Sequence, residues 1–256
     1  MKAKKELGQH FLKDRNIAGK IARIGDIKPR DNIWEIGPGR GILTKELLKE
    51  KGRITAFEID EKLYPILEKE FGENINLIKN DILKENWEQL IPEGKFKIIA
   101  NIPYQITSPL LMKMIDHQDH IEKVVIMIQR EVAERLRAKP STKSYSFLSI
   151  KVQFYFQVKY EFTVKPHLFY PPPKVDSAVV SLIPQEKTPN VGNEEKFWRL
   201  VDITFRSRRK TLRNNLKYML KLGKIKELEE SCSIALSRRA ETLSIPEFIQ
   251  LYNSVF

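Results

Sequence analysis

Four consecutive residues, Asn101-Ile102-Pro103-Tyr104, set two oxygen acceptors beside a flat aromatic ring, a combination suited to holding the exocyclic amine of a planar heterocycle. Pro103 has no N–H and biases Ile102 toward extended backbone, which lets the Ile102 carbonyl and the Asn101 side-chain oxygen aim at one point. Two converging acceptors suit an NH2 group. Tyr104 adds a face on which a nucleobase can stack, a contact worth about 1–3 kcal/mol per base. An isolated Asn-x-Pro-Tyr serves equally well as a rigid turn with a core tyrosine, so its surroundings must decide. Just ahead lies Phe96–Ala100, a short apolar run of strand type. The tetrapeptide therefore falls at a strand's carboxyl end, where open α/β sheets bind ligands.

The elements that must position it follow from the apolar pattern. β-branched and aromatic runs recur at Ile33–Ile36, Ile54–Glu58, Ile75–Lys79, Phe96–Ala100 and Val124–Gln129, with helix-like segments between them. That alternation predicts a parallel sheet with crossover helices. Ser108 before Pro109 reads as an N-cap opening a helix over Leu110–Ile115. Two further strands, Val152–Phe156 and Ser177–Ile183, would complete a mixed sheet of seven strands. The turn-rich stretch Pro184–Asn193 reads as a linker, and everything beyond Glu194 has helical spacing. The expected organisation is an α/β domain over residues 1–184 and a small all-α domain over 185–256.

Ile33-Trp34-Glu35-Ile36-Gly37-Pro38-Gly39-Arg40-Gly41 places a glycine-rich turn directly after the first of these strands. Gly-x-Gly-x-x-Gly would need a third glycine where Ile42 stands, and no Lys-Ser/Thr pair ends the turn as in a P-loop. The turn suits a nucleoside or a small carboxylate and offers no well-formed pyrophosphate site. The second strand ends at Glu58, where an acidic side chain can accept bonds from both ribose hydroxyls. After the third strand, Asp81 is placed to accept from an adenine amino group, with Ile82 flanking the ring. Glycine turn, Glu58, Asp81 and Asn101 thus follow four successive strands, the order expected of an S-adenosylmethionine-dependent methyltransferase.

Composition narrows the partners. The 256 residues carry 45 Lys and Arg against 33 Asp and Glu, a formal charge of +12, which favours a polyanion. Arg206, Lys210, Arg213 and Lys217 recur at helical spacing on one stripe of a helix expected to start near Phe205; Arg130, Arg135, Arg137, Lys139 and Lys143 form a second basic set. Both are candidate RNA contacts. The single cysteine, Cys232, excludes an internal disulfide and a Cys-cluster zinc site, so no metal is expected and a reducing, cytoplasmic location is. Met1–Glu6 is charged with no apolar segment after it, and no apolar run is long enough to span a bilayer; no membrane association is expected.

The chain closely resembles the small-subunit (16S) rRNA adenine N6,N6-dimethyltransferases of the Ksg type over nearly its whole length. The stretches that carry the likeness are Leu7–Leu12, Glu35–Thr44, Asn101–Tyr104, Gln129–Leu136 and, most specifically, Phe169-Tyr170-Pro171-Pro172-Pro173-Lys174-Val175-Asp176-Ser177-Ala178-Val179-Val180. The resemblance implies a Rossmann-like class I methyltransferase fold and S-adenosyl-L-methionine as cofactor. It implies cofactor contacts at His10, Leu12, Gly37, Glu58, Asp81 and Asn101, with a target adenine held between Tyr104 and Phe169. Many relatives carry asparagine where this chain has His10. The implied substrate is a pair of adjacent adenines in a hairpin loop near the 3′ end of small-subunit rRNA, and the expected partners of the monomeric chain are that rRNA, naked or in the assembling small ribosomal subunit. Two other readings share parts of the pattern: a large-subunit rRNA adenine methyltransferase of the antibiotic-resistance type, and a non-catalytic RNA-binding assembly factor.

Overall fold

The apolar runs become the strands of one twisted sheet in the computed structural model, which describes residue 4 and residues 7–256. Apart from Lys4, the charged opening stretch read above lies outside the described residues. The chain begins with β1 (Phe11–Leu12) and α1 (Arg15–Ile24), then alternates β2 (Asn32–Ile36), α2 (Ile42–Leu47), β3 (Arg53–Phe57), α3 (Tyr64–Phe71) and β4 (Asn76–Ile78). It continues through α4 (Trp87–Leu90), β5 (Phe96–Asn101), α5 (Thr107–Asp116), β6 (Ile121–Gln129), α6 (Arg130–Leu136) and α7 (Phe147–Tyr155). Strands β7 (Phe156–Val164), β8 (Phe169–Tyr170) and β9 (Ser177–Pro184) follow, and the tail holds α8 (Glu194–Phe205), α9 (Leu212–Leu216), α10 (Leu222–Ser231) and α11 (Ile245–Val255).

The large sheet has seven strands in the order β4-β3-β2-β5-β6-β9-β7. The first five are parallel, and β9 runs antiparallel to both β6 and β7. The chain winds outward from β2 to β4, then returns to β5 on the other side of β2. Loops leaving the carboxyl ends of β2 and β5 therefore diverge, which opens a crevice at this switch point. β1 and β8 form a separate two-stranded ribbon, with Phe11 opposite Tyr170 and Leu12 opposite Phe169.

Burial explains the strand register. Trp34 on β2 packs its ring 4.2 Å from Phe96 and 5.1 Å from both Phe57 and Trp87, closing one face of the sheet. On the other side the glycine turn must run close to α3. Gly41 adopts φ +73°, and a β-carbon there would come within 2.4 Å of the Phe71 ring. Gly41→Ala is expected to destabilise the fold by roughly 2 kcal/mol or more, from left-handed strain plus the clash. Urea unfolding checks this, and an unchanged midpoint would refute it.

The chain divides into two compact units, residues 1–133 with 155–184, and residues 134–154 with 185–256. The expected single break at 184/185 thus differs at one segment, since 134–154 groups with the helical tail. The strand expected over Val152–Phe156 is the end of helix α7, and β7 starts at Phe156. An apolar run buried on all sides does not distinguish the two states. Here the helix is held by Gln153, whose Nε2 donates to the carbonyls of Leu136 and Ala138 at 2.8 Å, and by Phe154 against Phe197 and Trp198. Ser108 is likewise no cap: α5 starts one residue earlier, at Thr107, after a 3-10 turn over Tyr104–Ile106.

The helix expected to start near Phe205 is replaced by a break. α8 ends at Phe205, a turn follows, and α9 covers only Leu212–Leu216. The buried Asn215 side chain causes it. Its Nδ2 donates to the carbonyls of Thr204 at 2.7 Å and Ser207 at 3.1 Å, capturing acceptors that a continuing helix would have used. The Leu212 and Arg213 N–H groups donate to Arg238 and Leu236 instead.

Candidate active site

The loops after β2, β3, β4 and β5 and the segment Leu7–Leu12 line one cavity at the switch point. Glu58, 3% exposed, ties its walls together: Oε2 accepts from Gly39 N–H at 3.1 Å and Oε1 from Asp60 N–H at 2.8 Å. Each carboxylate oxygen keeps a second lone pair, so both can still receive a hydroxyl. Burial raises the Glu58 pKa above the usual carboxylate range, and the two N–H donors oppose that rise. Asp81 spends one oxygen on Leu83 N–H at 3.0 Å, which folds the loop so that Asp81 and Ile82 both face the cavity. Gly37, with Asn101, Ile102, Pro103 and Tyr104, forms the opposite wall.

Asn101 sits at the last position of β5, and its Nδ2 donates to the His10 carbonyl at 3.3 Å. That contact fixes the amide orientation and leaves Oδ1 as the acceptor. Ile102 N–H donates to Met127 O at 3.1 Å, which pins the next peptide to β6. Tyr104 is held from its far end, with its hydroxyl 2.6 Å from Oγ of the buried Ser177. The serine of the Pro-Pro-Pro-Lys-Val-Asp-Ser run thus sets the angle of the Tyr104 ring. Burial raises the Tyr104 pKa, so the phenol stays neutral.

His10 lines the same cavity. Its Nδ1 lies 2.8 Å from the Pro171 carbonyl, an acceptor only, so Nδ1 carries the proton. Its ring stands 5.6 Å from that of Tyr104, tilted by 30°. His10 therefore walls the region around Tyr104. Leu12 lines the cavity, whereas Phe169 is 1% exposed and stands behind it, outside the lining.

One residue escaped assignment. Glu35, inside β2, is 1% exposed and lines the cavity, and its Oε2 has no hydrogen-bond partner. A charge within the apolar run Ile33-Trp34-Glu35-Ile36 was the available signal. Burial lifts its pKa to about 8, with the Glu58 charge adding to the rise and neighbouring Thr44 opposing it. The folded chain thus keeps this proton at pH values where the unfolded chain, near 4.5, has lost it. Stability should fall as pH rises between those two values, and Glu35→Gln should flatten the fall. Urea midpoints at several pH values test this; parallel curves for the two proteins would contradict it.

The expected RNA contacts scatter. Arg130 is paired with Asp176 at 2.8 Å, Arg137 with Glu134 at 2.9 Å and Arg213 with Glu229 at 3.1 Å. Arg206 and Lys210 lie in the turn after α8 with their charges 4.2 and 5.6 Å from the Tyr218 ring centroid. Arg135, Lys139, Lys143 and Lys217 are exposed. No single helical stripe joins the tail residues. Among the described residues no helix is long and apolar enough to cross a membrane, and no cluster of three or more acidic, His or Cys side chains is disposed to hold a metal.

The cavity's donor and acceptor set fits S-adenosylmethionine: paired acceptors at Glu58, a single acceptor at Asp81, and an unpartnered buried carboxyl oxygen at Glu35 that can accept from an ammonium. Comparison with known proteins agrees. The chain is 42% identical over 252 residues to a protein of Prosthecochloris aestuarii, and 43% over 260 residues to one of Geobacter metallireducens. Both are named ribosomal RNA small subunit methyltransferase A, and each match spans 98% of this chain and 94% of the relative. A dimethyladenosine transferase from Plasmodium falciparum superposes with a TM-score of 0.79 at 29% identity, covering 94% of this chain and 96% of that one. The 23S rRNA methyltransferase ErmE shares the fold, with a TM-score of 0.73 at 24% identity over 96% and 99% of the two chains. The sequence model of ribosomal RNA adenine dimethylase matches residues 1–255, and with the relatives it makes this chain a member of that family, an S-adenosylmethionine-dependent methyltransferase of Rossmann-like class I fold.

Proposed function

We propose that this chain places two methyl groups on N6 of each of two adjacent adenines in a hairpin loop near the 3′ end of small-subunit rRNA, during assembly of that subunit. It acts as a monomer in the cytoplasm. The observation that carries the reading is the fixed Asn101 amide at the end of β5, its Oδ1 left as acceptor beside the cavity that holds Glu58 and Asp81.

S-adenosylmethionine, when bound, supplies a methyl group already activated on a sulfonium. The chain's own work is orientation. Asn101 Oδ1 and the Ile102 carbonyl accept the two N6 hydrogens, favour a pyramidal nitrogen and turn its lone pair away from the ring. Orientation of this kind can supply about 7–11 kcal/mol of barrier lowering. Tyr104 stacks on the base, with Phe169 and His10 backing the pocket. No strong base is needed, because the amine becomes acidic only once alkylated and can lose its proton to water. Glu58 receives the ribose hydroxyls, while Asp81 and Ile82 hold the cofactor's adenine. Gly37 and Leu12 close the cofactor site from either side. Phosphates are met by the exposed cations, including Lys139, Lys143, Arg206, Lys210 and Lys217, with Arg130, Arg135, Arg137 and Arg213 in support.

A target base in a loop is already partly unstacked, which lowers the cost of drawing it into such a pocket. The deciding experiment is transfer of labelled methyl groups to unmodified small-subunit RNA and particles, followed by mapping of the labelled base. Label on paired adenines near the 3′ end supports the reading. Label on large-subunit RNA alone, or none anywhere, overturns it.

A further inference from the structure

The glycine turn carries an arginine, Gly39-Arg40-Gly41, whose side chain reaches the cavity's outer rim. The Phe11 ring rests on this turn, since a β-carbon built on Gly39 would meet Phe11 Cδ1 at 3.1 Å. Arg40 reaches the same ring with its guanidinium carbon 4.8 Å from the centroid, and stands 5.4 Å from the centroid of Tyr170. Phe11 and Tyr170 are opposed across the β1–β8 ribbon, yet their exposures differ: 8% and 49%. A large aromatic ring thus lies half in solvent with a guanidinium against it. The same arginine also lines a second, more open cleft with Phe11, Leu12, Lys13, Ile42 and Lys45.

We propose that this rim is a second nucleotide subsite, which takes the nucleotide next to the adenine being methylated. Its base lies on the open face of Tyr170, and its phosphate meets Arg40 and Lys13 in the cleft. The proposal rests on the reading of the chain as an rRNA adenine dimethyltransferase. The two pockets are neighbours through the chain: Tyr170 precedes Pro171, whose carbonyl holds the His10 ring against Tyr104. An aromatic face accepts any base, and a planar guanidinium can take a phosphate bidentately, so the site suits an RNA strand's repeating unit. Two adjacent targets need such a place, because one base must be parked while its neighbour is in the pocket.

The test uses particles assembled on small-subunit rRNA with a synthetic 3′ segment, in which the nucleotide beside one target adenine is either adenosine or abasic. Wild type should show KM for the abasic RNA raised roughly 5- to 150-fold, the range that one lost base stack corresponds to. Tyr170→Ala should show that same rise on the intact RNA and no further rise on the abasic one, while Tyr170→Phe behaves as wild type. Arg40→Ala should raise KM on both. Cofactor Kd, measured without RNA, should be unchanged in Tyr170→Ala. If Tyr170→Ala is still sensitive to the abasic change, or if its loss appears in cofactor Kd, the subsite does not exist. If wild type transfers no methyl to either RNA, the functional reading itself has failed; transfer without any abasic effect removes only the subsite.

Discussion

Asn101→Ala should lower the single-turnover rate of methyl transfer by about two to three orders of magnitude with RNA and cofactor both saturating, the loss typical of removing one preorganised polar group from a reacting centre. The deleted amide holds two things in place. Its Oδ1 accepts an N6 hydrogen, and its Nδ2 ties the His10 carbonyl, at 3.3 Å, to the end of β5. Asn101→Asp separates them, because it keeps an acceptor but sets a carboxylate against the His10 carbonyl where a donor had been. Its rate should lie between the two. Rates near wild type in the alanine variant would remove Asn101 from the chemistry.

Glu58→Ala should weaken cofactor binding by at least about two orders of magnitude. Hydrogen bonds to a charged acceptor contribute about 1.5–3 kcal/mol each, and the ribose offers two. The same change orphans the N–H groups of Gly39 and Asp60, both now donating to this carboxylate. The cofactor-free chain should therefore also lose stability, by roughly 1–3 kcal/mol for each donor cut off from water. Glu58→Gln retains one acceptor and should fall between. Acid weakens the wild-type interaction by the same route: burial raises the Glu58 pKa, so its charge is lost on lowering pH sooner than in an ordinary carboxylate. Calorimetric titration across pH reads both effects, and an alanine variant that binds as wild type does would exclude the ribose contact.

The parallel strands were legible because each is a short β-branched run bounded by turn formers, and the site residues were legible because they sit where such runs stop. What the sequence did not disclose came from contacts between distant residues. Asn215 breaks the tail helix by taking the carbonyls of Thr204 and Ser207, and no helical periodicity registers a buried amide. Residues 147–155 are apolar enough for either strand or helix, and Gln153 tips them to helix by capturing two carbonyls. His10 reads as a lone polar residue until the fold sets it between Pro171 and Tyr104. Glu35 was visible within its strand, but only burial gives it a raised pKa and an unsatisfied oxygen.

Segment Leu7–Leu12 closes the cavity without belonging to the main sheet. It is fastened by a two-residue ribbon, by Gln9 to Asp60 at 2.7 Å and by His10 to Pro171, with Phe11 and Leu12 tucked beneath. Lifting this flap would leave all seven strands paired, so spent cofactor can be exchanged by local opening while the scaffold stays folded.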